Sequence, residues 1–114
     1  MEQKLRFVNI IFFWNIFINN KDMPYNIKQY TYTQAKKLGV NVKPSTVKGK
    51  KIDVIKDGKK VASIGALGMN DYPTYIQTKG KAYADERRIL YKIRHDNTRH
   101  KVGSPSYYAD KLLW

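Results

Sequence analysis

Apolar and polar positions change their spacing several times along the chain, and each change marks an element. Residues 7–18, FVNIIFFWNIFI, are apolar almost throughout, broken only by Asn9 and Asn15. From Met23 the composition turns ordinary. Tyr25, Tyr30 and Tyr32 lead into a short helix over 34–38, which Thr33 can cap and Gly39 can stop as the left-handed C′ residue. Residues 40–51 mix Pro, Ser, Gly and four Lys and read as a basic loop. Over 51–66 the spacing becomes that of strands, KIDVIK and KKVASIGA on either side of Asp57-Gly58. That pair predicts a two-residue hairpin turn, because both central residues need positive φ. A two-stranded ribbon is not stable alone, so it must pack on something else.

The spacing then turns helical. Gly65 and Gly68 bracket a turn, and Asp71 with Pro73 predicts a helix start that runs to Gly80. Tyr72, Tyr75 and Ile76 share a side of it and are expected in the core. The longest periodic run, from Lys81 to about His100, places Ala82, Ile89, Leu90 and Ile93 on an expected core face. Lys81, Arg88, Lys92, His95 and Arg99 form a second, cationic stripe, broadened by Arg87 and Arg94. Gly103 ends this run, and Ser104-Pro105 opens a terminal helix by the cap-then-Pro rule. The fold class expected is α+β: a single small domain, residues 23–114, with a β-hairpin, three to four helices and a long basic helix toward the C-terminus.

Charge changes the picture from fold to partner. The 114 residues carry a formal +13, from 22 Lys and Arg against 9 Asp and Glu. Residues 1–22 hold only +1 of it, Lys4, Arg6 and Lys21 against Glu2 and Asp22, so the basicity belongs to the domain. Self-repulsion of this size calls for a polyanion, nucleic acid before anionic membrane. The candidate phosphate-binding residues are Arg87, Arg88, Lys92, Arg94, His95 and Arg99 on the long helix, with Lys50, Lys51, Lys59 and Lys60 at the ends of the hairpin. Such contacts give affinity without reading sequence, and six of them imply a log–log salt slope of roughly −5 on duplex. Hairpin lysines also guard strand edges against aggregation, with or without a nucleic acid.

Catalysis finds no support in the residue pattern. Without Cys there is neither a disulfide nor a thiolate metal site. His95 and His100 stand five apart, whereas ligands sharing a helix face want three or four. No phosphate-cradling GxxxxGK[ST] occurs, and Ser104 and Ser106 lack a base. Neither enzyme activity nor a cofactor or metal is expected.

The leader 1–22 has its own reading. Phe, Ile, Asn and Lys dominate it, the residue types of AT-only codons, so Met23 is a candidate natural start. Lys4 and Arg6 before an apolar block also resemble a signal peptide, but Asn19-Asn20-Lys21-Asp22 is a poor cleavage site and secretion is not expected. Twelve residues are too few to span a bilayer, so membrane association is expected only if 7–18 serve as an interfacial anchor.

From YTYTQAKKLGVNVKPS through KKIDVIKDGKKVASIGALGMNDYPTYI to RRILYKIRHDNTRHKVGS and YYADKLLW, the chain resembles small basic proteins of unknown function encoded by large (giant) DNA viruses of algae and protists. The resemblance covers 23–114 and omits the leader. It implies a viral setting, in the virion or in the nucleus or cytoplasm of the host, and supplies no catalytic residue. The function expected is therefore sequence-nonspecific nucleic-acid binding, DNA before RNA, by a genome- or virion-associated component. The alternative is a structural protein, a minor capsid or internal virion component. Its cations would meet acidic protein surfaces, and Leu112, Leu113 and Trp114 would hook a neighbour instead of docking on their own domain.

Overall fold

The computed structural model describes residues 24–114; the expectations for the leader, including the 7–18 anchor, lie outside the described residues. The domain is α+β. Its elements are α1 (Gln29–Leu38), β1 (Asn41–Pro44), β2 (Lys50–Lys56), β3 (Lys59–Ala66), α2 (Tyr72–Lys79), α3 (Lys81–Arg94) and α4 (Pro105–Leu113). The strands form one antiparallel sheet in the order β1-β2-β3. No described helix is long and apolar enough to cross a membrane.

The hairpin forms as its turn chemistry dictates. Asp57 and Gly58 have φ of 51° and 80°, and Lys56 pairs with Lys59 across them. Ile52 faces Ile64 and Val54 faces Ala62 across the ribbon. These four join Ala35 of α1, Val40 just after it, and Tyr108, Leu112 and Leu113 of α4 in one core. The ribbon thus gains the packing partner it needs, together with a third strand. That strand, β1, was expected as loop; four residues ending in Pro44 suit an edge, where a missing N–H costs no ladder bond.

Helix α1 starts five residues before the expected position, and Thr33 lies within it instead of capping it. Its buried face is Thr31 and Ala35, and the Thr31 hydroxyl donates to the Leu112 carbonyl at 2.8 Å, tying α1 to α4. Helices α2 and α4 begin where their caps predict. The Asp71 carboxylate accepts from the Thr74 N–H, and the Ser104 hydroxyl from the Tyr107 N–H.

Helix α3 departs most from expectation. It ends at Arg94, six residues short, and turns follow as far as His100. Its apolar stripe points outward: Ala82 is exposed, and so are Ile89, Leu90 and Ile93. The buried side chains are Ala84 and Tyr91. Ring faces on α2 explain the inversion. The Arg88 guanidinium lies 3.8 Å from the centroid of Tyr72, and Arg87 lies 5.8 Å from that of Tyr75. A guanidinium on an aromatic face satisfies both charge and packing, so cations take the inner face that an apolar count assigns to Ile and Leu.

Candidate nucleic-acid interface

The stripe Arg88, Lys92 and Arg99 is committed within the domain. Arg88 covers Tyr72 and donates to the Tyr30 hydroxyl at 3.4 Å. Lys92 pairs with the buried Asp110 at 2.7 Å. Arg99 reaches Asp110 at 3.6 Å and Asp96 at 3.1 Å, and its Nε donates to the Lys92 carbonyl. Arg88 thus ties α3 to α1 and α2, while Lys92 and Arg99 pin α3 and the turn after it to α4. Arg88, Lys92 and Arg99 therefore act in the architecture, and the continuous outward stripe read from the sequence is corrected. Lys81 is tied to Asp85 at 2.9 Å.

The other candidates converge elsewhere. Lys50, Lys51, Arg87, Arg94 and His95 line one cavity of about 300 Å³, together with Tyr75, Tyr91, Leu113 and Trp114. Helical spacing brings four of these to one side of α3, since 87, 91 and 95 are successive fourth residues and 94 completes the turn. Tyr91 is sandwiched, with His95 stacked at 4.1 Å and Trp114 at 4.4 Å, the latter only 8° from parallel. Tyr75 tilts against Trp114 at 6.2 Å. Half-buried His95 and Trp114 end this aromatic stack.

Close packing shapes the opposite wall. Gly65 has φ +79°, and a Cβ there would stand 2.8 Å from Leu113 Cδ1 and 2.9 Å from Lys51 Cδ. Only glycine lets β3 approach the terminal helix and the lysine stem this closely. Lys51 is the buried exception among the hairpin lysines, paired with Asp71 at 2.7 Å. Asp71 also accepts from the Tyr25 hydroxyl at 2.6 Å. Burial opposes its ionisation, but Lys51 and these donors outweigh it and hold the carboxyl below its usual range. Burial, then the bond and charge of Asp71, push the Tyr25 phenol well up. Lys51 thus supplies the wall with a neutralised pair. Lys50, Arg87, Arg94 and His95 have no acidic partner among the described residues. The Arg87 Nε, buried, also lacks a hydrogen-bond acceptor there.

Lys59 and Lys60 stand exposed at the hairpin tip, away from this cavity, with Lys60 3.7 Å from Asp53. Asp53 is a third buried carboxylate, after Asp110 and Asp71. Burial alone would raise it, but the Ser45 and Ser63 hydroxyls, the Thr46 N–H and Lys60 take it from 3.8 to about 2. Leu112 and Leu113, expected as a possible hook, are 0% and 1% exposed in the domain's own core. The terminal segment docks on its own body, so those two offer a partner nothing. Among the described residues no cluster of His, Asp and Glu could hold a metal ion. Compared with family models, with curated proteins and with solved structures, the chain matches none.

Proposed function

We propose that the protein binds nucleic acid without sequence preference, through the cleft formed by Lys50, Arg87, Arg94 and His95 beside Tyr75, Tyr91 and Trp114. One observation carries this reading: three cations without an acidic partner among the described residues, Lys50, Arg87 and Arg94, converge with His95 on one aromatic-walled cavity. Cations facing an aromatic platform suit a flexible single strand, whose phosphates meet the charges while an unstacked base lies on a ring. DNA is favoured over RNA only by the viral setting that the sequence resemblance implies. The structural-protein alternative loses Leu112 and Leu113 as its hook and keeps its cations on acidic protein surfaces, with half-buried Trp114.

The test is fluorescence anisotropy of the full chain with random single-stranded and duplex DNA at low salt. Lys50→Gln/Arg94→Gln, both at exposed positions, is compared with Lys59→Gln/Lys60→Gln. The first pair should weaken single-strand binding about tenfold or more and the second much less, on the scale of lost phosphate contacts. Equal effects, or none, would remove the cleft from the interface.

A further inference from the structure

The cavity that Arg87 and Trp114 share measures about 300 Å³. Sites that enclose a small molecule begin at about that volume, so it has room for one residue of a strand and not for a run of them. One side of it is aromatic. Trp114 and His95 close the two ends of the stack on Tyr91, at 4.4 and 4.1 Å, and both are half-buried. Tyr75 meets Trp114 at a tilt of 53°, so Tyr91 is the one parallel neighbour that Trp114 has among the described residues. A further flat ring can therefore lie on it. Gly65, Ala66 and Leu113 add apolar wall.

Arg87 supplies the second chemistry. Its guanidinium lies 5.8 Å from the Tyr75 centroid, and its buried Nε has no acceptor among the described residues. A buried donor left unpaired is costly, and an anion that accepts from it recovers that cost. Asp71, the one acid lining the cavity, is already neutralised by Lys51 at 2.7 Å, so the pocket keeps a net positive charge. Arg94 shares the face of Arg87, seven residues and about 10 Å further along α3, where it can meet a neighbouring phosphate. An aromatic face beside an unpaired guanidinium matches a group that joins a flat ring to a phosphate. We propose that the cleft is a pocket for one nucleotide, its base stacked on Trp114 and its phosphate on Arg87. This rests on the nucleic-acid reading and narrows it to one unstacked nucleotide, either a residue of a strand or a free nucleoside monophosphate.

Trp14 and Trp114 are the only tryptophans, so Trp14→Phe in the full chain leaves Trp114 as the sole reporter. Its emission is titrated with deoxythymidine monophosphate, with 2-deoxyribose 5-phosphate and with three short single strands: all thymine, all abasic, and abasic with one thymine. The monophosphate and both thymine-bearing strands should quench it saturably, and deoxyribose 5-phosphate should not. By anisotropy the abasic strand should bind about 5–150-fold more weakly than the thymine strand, the scale of one stacked base. One thymine should restore nearly all of that loss. The relative affinities of the monophosphate and the one-thymine strand then tell a free nucleotide from a strand residue, and either order keeps the pocket. Arg87→Gln should weaken the monophosphate about tenfold or more; should it fail to fold, the ligand series decides alone. Equal binding of the thymine and abasic strands, or equal quenching by deoxyribose 5-phosphate, overturns the pocket and leaves a phosphate-binding cleft. Affinity that climbs with every added base overturns it in favour of a longer track. Strands that do not bind at all overturn both the pocket and the reading beneath it.

Discussion

The buried pair of Lys51 and Asp71 decides how the start of α2, the sheet and the chain around Tyr25 hold together. The two side chains are 4% and 1% exposed and 2.7 Å apart. Asp71 is also the cap of α2, accepting from the Thr74 N–H at 3.0 Å. Asp71→Asn separates these two roles, because Asn caps as well as Asp but leaves the Lys51 ammonium without its counter-charge. Losing one member of a buried pair costs about 3–5 kcal/mol, whereas losing a cap alone costs about 1 kcal/mol. Asp71→Asn should therefore lower stability by about 3–5 kcal/mol, and Asp71→Ala by about 1 kcal/mol more. Against the 5–15 kcal/mol usual for a domain, either change brings the chain near unfolding at room temperature. Lys51→Met added to Asp71→Asn should recover most of the loss, since the thioether fills the space of the lysine stem without a charge. Urea denaturation followed by circular dichroism measures all three. A loss of no more than about 1 kcal/mol in Asp71→Asn, or no recovery in the double variant, would refute the claim that the pair is desolvated.

Acid should destabilise the fold in a defined window. The folded Asp53 carboxyl, at about 2, lies below its unfolded 3.8, so its contribution is complete above pH 4 and is lost as pH falls toward 2. That contribution is on the order of 2 kcal/mol, and Asp53→Asn should flatten the acid limb of a stability–pH curve. Gly65→Ala should cost about 2–4 kcal/mol, from the left-handed backbone and the close approach to Leu113 and Lys51 together. Gly68→Ala, with φ +91° but open space around it, should show only the backbone part, about 1 kcal/mol, by thermal melts of the two variants. Arg88→Glu/Lys92→Glu should collapse the tertiary fold, because it places a carboxylate beside Asp110 and removes the cation over Tyr72. A variant with native near-UV dichroism would contradict the pinning role assigned to these two.

Local rules were legible and tertiary choices were not. Asp57-Gly58, the Asp71 cap with Pro73, and Ser104-Pro105 each fix a backbone conformation within a few residues, so their elements form where expected. The start of α1 was hidden because Tyr30 and Tyr32 draw attention while Thr31 carries no hydrophobic weight. The spacing Ile27, Thr31, Ala35 and Leu38 was nevertheless helical. Strand β1 is four residues of lysine-bearing edge, too short to show an alternation. The orientation of α3 was inverted because side-chain class was read as burial, whereas Arg88 packs on a ring and Ile93 does not. Lys50, Lys51, Arg87, Arg94 and His95 were named from the sequence, but not their convergence on one cavity apart from Arg88, Lys92 and Arg99. Tyr91 passed unnoticed, although Arg87, Tyr91 and His95 stand four apart on one face.

The cleft as a phosphate-binding surface is tested most directly by the salt dependence of the full chain's affinity for single-stranded DNA. Three phosphate contacts, by Lys50, Arg87 and Arg94, give an expected log–log slope near −2, falling in magnitude by about 1.4 when Lys50→Gln/Arg94→Gln removes two of them. No binding at low salt, or a slope that the double variant leaves unchanged, would contradict it.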